Sequence, residues 1–385
     1  MHKRLGVSVV FILLIGLTSV ALSPPVNAAF RTIVVPDDYS SLQDAVNNAV
    51  QGERIFVKNG NYDGPQNQSL VIGKQLSLVG ESVEGTKINF YPAYNASFLF
   101  NTYADAVRII ADDVSILNLT FFVFTGHNPR GAPIGGDIQA QGNRIQISGN
   151  RMITGSTATG LTVKGNGCNI SCNTLTGFIH LQGKENDLYK NSAYSIVLES
   201  AERNNVCQNT LACLGLSSSN YNTITENNID TGAIIDWAVN VNNSLGNTFE
   251  GNKIDVGVYG NSVKLSAAKN NTFYHNTFLG EGAPVILGAS VEDTAWDNGK
   301  EGNYWANYNG TDFNGDGIGD TPYVIDANNI DNYPLMQPWT GSIPPAAPKL
   351  GLFEILLIAV VCVLVAVAVF LLYVRRRGVS KHTAK

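Results

Sequence analysis

The sequence predicts an all-β solenoid, a stack of coils built from short strands and turns. Three observations predict it. First, a phrase recurs in which an apolar residue is followed by two residues, Asn, one further residue and a second apolar side chain. It reads Val206-Cys207-Gln208-Asn209-Thr210-Leu211, Ile224-Thr225-Glu226-Asn227-Asn228-Ile229, Phe249-Glu250-Gly251-Asn252-Lys253-Ile254 and Phe273-Tyr274-His275-Asn276-Thr277-Phe278, with earlier copies over 147–152, 170–175 and 188–193. Second, its central residues Asn150, Asn173, Asn191, Asn209, Asn227, Asn252 and Asn276 are 23, 18, 18, 18, 25 and 24 residues apart, the period of a repeat array. Third, each unit is too short for a pair of helices and alternates apolar and polar residues between Gly and Asn punctuation, the pattern of strands and turns.

The elements follow in order along the chain. Residues 1–28 open with His2, Lys3 and Arg4, continue through an apolar run over 5–22 and reach a small-residue site at Val26-Asn27-Ala28; this reads as a secretory signal, outside the fold. Thr32-Ile33-Val34-Val35 reads as a strand, and residues 39–50 as a short helix with an apolar stripe at Leu42, Ala45, Val46, Ala49 and Val50. Asp37, Asp38 and Ser40 supply start signals for this helix and Gly52 a stop. Its expected task is to cap the open first coil, whose apolar interior and unpaired backbone would otherwise face water. Coils then run over 30–300, and 301–340 form a C-terminal cap. The Pro-rich stretch 341–349 is a linker.

Residues 355–374 are an unbroken run of 20 apolar residues, about 30 Å of helix at roughly 1.5 Å per residue and enough to span a bilayer. The expected membrane helix covers 350–374. The basic tail 375–385, with Arg375, Arg376, Arg377, Lys381 and Lys385, would lie in the cytoplasm. The solenoid would then stand at the cell surface. A net charge of −6 with no basic patch excludes nucleic acid as a partner. Cys168, Cys172, Cys207 and Cys213 lie in a compartment that permits disulfides. Cys172 and Cys207 sit two coils apart by the repeat register, about 10 Å at roughly 4.8 Å per coil, which is too far for a bridge. Local pairing and free thiols both remain open.

The repeated Asn is expected to be structural. It tolerates the left-handed backbone that a sharp turn needs, and stacked amides donate to and accept from one another. The sharpest local motif is Asp312-Phe313-Asn314-Gly315-Asp316-Gly317-Ile318-Gly319-Asp320. Oxygen side chains at Asp312, Asn314, Asp316 and Asp320, the Ile318 carbonyl and a Gly at the sixth position follow the start of a calcium loop. Position 12 is Tyr323, so the usual Glu is missing, and Asp326 is the substitute at hand. The same residues also suit a polar hairpin turn. The expectation is a structural calcium ion that fastens the cap. The rhythm loosens over 91–137, where Tyr91, Tyr94, Tyr103, His127, Arg130 and Asp137 lie among Gly and Pro. Tyr91, Tyr94 and Arg130 suit sugar faces and carboxylates, and His127, Arg130 and Asp137 are the candidates for acid–base work.

Three stretches carry a family resemblance: 32–45 with Gly60-Asn61-Tyr62, the Asn-centred repeats, and 302–336 with its Gly-Asn-Tyr-Trp start and Asp331-Asn332-Tyr333-Pro334 close. Over about 30–340 the chain resembles the NosD-like, pectin-lyase-like repeat proteins, also described as carbohydrate-binding and sugar-hydrolase repeats, many of them archaeal-type surface proteins with a C-terminal anchor. The resemblance implies a right-handed parallel β-helix and leaves the activity open. It also raises copper handling. The ligand inventory argues against copper, because the part expected outside the membrane has only His127, His180 and His275, and Met152 and Met336 fall at apolar, core-type positions. No paired Asp in one repeat phase with Arg or Lys beside it emerges. The sequence therefore favours a binding or structural module for polysaccharide or surface-layer proteins. The rival is a calcium-assisted polysaccharide lyase, hydrolase or epimerase.

Overall fold

Every coil begins with a short strand that buries its middle residue. Ile116, Ile147, Ile170, Leu188, Val206, Ile224, Phe249 and Phe273 are fully buried, and each lies opposite the next in a parallel register. They belong to an eleven-stranded parallel sheet, the first face, from Thr32–Val35 to Thr272–Tyr274. The second face consists of two five-stranded sheets, Gly60–Asp63 to Thr174–Leu175 and Thr210–Leu211 to Tyr304–Trp305. Ser192 bridges them by pairing with both Thr174 and Thr210. The third face has ten strands, from Leu70–Ile72 to Val285–Leu287. One circuit runs Asn205–Cys207, Thr210–Leu211, Cys213–Ser217 and back to the first face at Thr223–Thr225. This is a parallel β-helix. Its crossovers join parallel strands, the connection that is right-handed for L-residues.

The computed structural model describes residues 31–66, 68–91, 105–124, 126–127, 133–134, 138–154, 159–232, 237–258, 260–280 and 284–341, with only the backbone of 126–127, 133–134 and 159. The segments read as signal peptide, membrane helix and basic tail lie outside them, as does the linker beyond Gly341. Among the described residues no helix is long and apolar enough to cross a membrane.

The capping helix is shorter than its apolar stripe. It spans Leu42–Asn48, and its N-cap is Ser41, whose hydroxyl accepts from the Asp44 N–H. Asp38 does not start the helix; its carboxylate accepts from the Val34 N–H, 2.8 Å away, and closes the preceding turn. Ala49 is already extended (ψ 140°), so the chain leaves the helix before Gly52. Leu42, Ala45 and Val46 still cover the first coil as buried residues.

The ladder asparagines are buried and linked as a chain. Asn209 donates its backbone N–H and its side-chain amide to the Oδ1 of Asn227, at 2.9 and 3.0 Å. The same two bonds repeat from Asn150 to Asn173 and on through Asn191, Asn252 and Asn276. The left-handed backbone is not at Asn. It lies one residue earlier, at Gly149, Cys172, Lys190, Gln208, Glu226, Gly251 and His275, with φ between 52° and 67°. Asn is needed for its amide, which also reaches carbonyls of neighbouring strands such as Leu188 and Cys207.

A second ladder escaped the sequence reading. Asn186, Asn204, Asn222, Asn247 and Asn271 form the same paired bonds on another corner. Its signal was available: these residues are 18, 18, 25 and 24 apart, the spacing of the first ladder. At the C-terminal end the core turns aromatic. Phe249, Phe273 and Trp296 stack at 4.4 and 4.8 Å, and Phe278, Trp305 and Tyr323 at 4.3 and 4.4 Å. Among the described residues Cys168, Cys172, Cys207 and Cys213 are all free, with Cys168 and Cys213 buried.

Candidate functional site

Parallel register converts one outward position per strand into a continuous row. On the third face the row includes Arg108, Gln139, Thr162 and His180 in consecutive coils, then Val197. Farther along it reaches Asn240 and Lys264. Neighbouring coils are about 4.8 Å apart, so these side chains repeat at that interval. Arg108 is exposed, His180 half-buried and Thr162 covered. The Nε of Arg108 lies 3.6 Å from an oxygen of Asp105. Burial pushes the Asp105 carboxyl up, against the opposing pull of Arg108 and Lys164. One oxygen of Glu199 lies 3.0 Å from the His180 Nε2 and accepts the Gln182 amide at 2.6 Å.

Aromatic side chains flank this row at the corner between the second and third faces. The long insertions 91–106 and 124–137 both leave second-face strands and return to third-face strands. Tyr91 and Phe124 open them, and their rings stack at 4.8 Å and 3° while about half exposed. Phe178 and Tyr194 meet edge to face at 5.3 Å on the same corner farther along. Exposed, paired aromatic rings beside a polar row can take the flat faces of sugar rings, while Arg108 can fork onto a carboxylate.

The sequence candidates fare unequally. Tyr91 lies in this constellation. His127 pairs through its backbone with Pro133 in a two-residue hairpin, but its side chain lies outside the described residues. Tyr94, Arg130 and Asp137 lie outside them as well. Arg108, Gln182 and Glu199 were missed, and His180 was weighed only as a copper ligand. Their signal is visible only once register is known, because alternate residues of unrelated-looking strands form the row.

In the 312–320 loop, Asp312 accepts backbone N–H bonds from Gly315, Asp316 and Gly317 at 2.7, 3.2 and 2.9 Å. Asp320 accepts from the Phe313 N–H and Asp316 from the Ile318 N–H. Asp326, the expected substitute ligand, is engaged in a turn of its own. It caps that turn through Asn328 and Asn329, and the Asn329 amide holds its carboxyl below the usual range. Among the described residues no three His, Cys, Asp or Glu side chains converge on a metal position.

The family model described as "Periplasmic copper-binding protein (NosD)" matches residues 46–310. Two curated relatives, each described as "Probable ABC transporter binding protein NosD", come from Pseudomonas aeruginosa and Stutzerimonas stutzeri. Each is 34% identical over 102 residues, 26% of this chain, and the match spans 23% and 22% of their own lengths. Among solved structures, the Dettilon tailspike protein aligns with 72% of this chain and 66% of its own at a TM-score of 0.53 and 15% identity, a likeness of fold. The donors that copper favours do not gather here: His180 is tied to Glu199 and His275 to Glu301. Met152 is sealed in the core, and Met336 is half-buried rather than core. The described residues do not fit a copper centre.

Proposed function

The chain belongs to the NosD family, and from that premise we propose that it is an extracytoplasmic binding module that lays an extended polysaccharide along its third face, held at the membrane by residues 355–374. The observation that carries the reading is the registered row in which Arg108, Gln139 and His180 reach the surface beside the Tyr91–Phe124 stack. One coil spacing is close to the length of one sugar ring in an extended chain, so successive coils meet successive residues of the polymer. Binding is favoured over hydrolysis because glycosidases place two free carboxyls about 5–10 Å apart across the bond. Here Glu199 is tied to His180 and Gln182, and Asp105 faces Arg108.

Calcium in the 312–320 loop belongs to the same proposal. Its support is three carboxylates and one amide within nine residues. The ion would take over oxygens of Asp312 that now accept backbone N–H groups.

The test is proton NMR of neutral and acidic polysaccharides with the purified full-length chain. Broadened but chemically unchanged sugar signals, weakened by Arg108→Ala, are the expected result. New anomeric or unsaturated-sugar signals would make the protein a lyase, hydrolase or epimerase. No effect on any sugar would overturn the reading in favour of a protein partner at the surface.

A further inference from the structure

His275 stands apart from the third face, at the turn after the last strand of the first face, and it carries the left-handed backbone of the ladder turn (φ 59°). Its side chain is almost buried, and the Nδ1 atom has no hydrogen-bond partner. A buried ring nitrogen without a partner is costly, so its surroundings bear on what it does. Nε2 lies 2.7 Å from an oxygen of Glu301, on the segment that leads to Tyr304–Trp305. Nδ1 points toward Glu250, 3.6 Å away on the neighbouring coil. The ring lies flat on Trp339, with centroids 4.7 Å apart and planes at 8°. Tyr274 meets it edge-on at 5.0 Å.

The titratable groups around the ring are therefore Glu250 and Tyr274 from the first face and Glu301 from the C-terminal segment. Trp339 adds none. The Tyr274 hydroxyl is pushed up to about 12 by burial, reinforced by its hydrogen bond to Glu250, so it stays protonated while histidines titrate. A neutral ring satisfies Glu301 or Glu250 but not both. A ring with two N–H groups satisfies both, and it also gives Trp339 a cationic face to stack on.

We propose that His275 is a proton-operated clasp. With both nitrogens protonated it ties Glu250 on the coil before it to Glu301 on the coil after it and pins Trp339, and loss of one proton frees the strap that ends the solenoid. Histidine is the side chain that changes charge near neutral pH. The strap's other backbone bonds lie at its start: Gly319 donates to the Pro334 carbonyl, Leu335 to the Asn303 carbonyl and Met336 to the Gly317 carbonyl. Trp339 lies two residues before Gly341, so the clasp sets how firmly the chain is gripped where it leaves the solenoid. The doubly held form is the one with both ring nitrogens protonated.

Hydrogen exchange of the peptide over 334–341, corrected for the intrinsic rate, tests this in the full-length protein. His275→Gln is expected to exchange about tenfold faster than wild type at about pH 5.5 and equally at about pH 8. Equal acceleration at both pH values, or none, would overturn the proposal. Should the variant fail to fold, nitrogen-detected NMR of histidine-labelled wild type decides instead. Two ring protons at acid pH, and a Trp339 indole resonance that follows the same titration, support the clasp. A single tautomer throughout overturns it.

Discussion

The Oδ2 atom of Asp331 accepts the indole N–H of Trp305 at 2.8 Å, and the first asparagine ladder ends on this carboxylate. Asn276 passes its bonds to Asn303, and Asn303 passes its backbone N–H to the same oxygen at 2.8 Å. The last rung is an acid because nothing beyond it needs a donor. Gly302 is part of the arrangement, since any side chain there would overlap the Asp331 carboxylate.

Burial pushes the Asp331 carboxyl up to about 6, against the pull of N–H donors from Asn303, Trp305 and Tyr333. The folded chain therefore keeps this proton over a range, about pH 4 to about 6, in which the unfolded chain has lost it. The resulting stability is full below the ordinary carboxyl value and is lost as pH rises through about 6, by about 2–3 kcal/mol. Denaturant melts of wild type should fall across this window. Asp331→Asn, which cannot ionise, should remove most of that slope; an unchanged slope would place the titration elsewhere.

Asn209→Ala removes the acceptor used by the Asn191 backbone and side-chain N–H groups and takes one donor from the Leu188 carbonyl. Stranding buried polar groups in this way costs about 2–4 kcal/mol, several degrees of melting temperature in a chain this long. Thr223→Ala, at an exposed position of the first face, should stay within about 0.5 kcal/mol. Equal melting of the two variants would show that the ladder contributes little.

How far the sequence speaks depends on the kind of information asked of it. The Asn period and the buried mid-strand residues are local and repeated, so the coils were legible, as was the capping role of Leu42, Ala45 and Val46. The position of the left-handed residue was not, because the period marks Asn while the strain falls on its varied predecessor, from Gly149 to His275. The third-face row was hidden for a different reason. Arg108, Gln139, Thr162 and His180 come from strands separated by loops of unequal length, and only the register aligns them. His275 likewise looks like one more polar turn residue until Glu250, Glu301 and Trp339 meet around it.

If the 312–320 loop takes up calcium as proposed, the ion will bring Asp312, Asp316 and Asp320 together and bind the folded form alone. Ligand at a hundredfold excess over its dissociation constant stabilises by about 2.7 kcal/mol. Adding a chelator should therefore lower the melting temperature of wild type, and Asp316→Asn should respond much less. A chelator that leaves wild type unmoved would reduce the loop to the turn that its backbone bonds already make.

Tyr91 and Arg108 test the binding face from its two sides without touching the core. Tyr91 is half exposed and leans on Phe124, and Arg108 projects from a strand whose buried residues Val107 and Ile109 hold it in place. Tyr91→Ala should weaken binding of a polysaccharide by roughly two- to tenfold, the scale of one aromatic contact. Arg108→Ala should do so only for carboxylate-bearing chains, where a forked charge-assisted pair is lost, and that effect should shrink at high salt. Both variants should melt within about 0.5 kcal/mol of wild type. Equal loss of neutral and acidic chains in Arg108→Ala would mean that the guanidinium shapes the surface through Asp105 and does not meet the polymer itself.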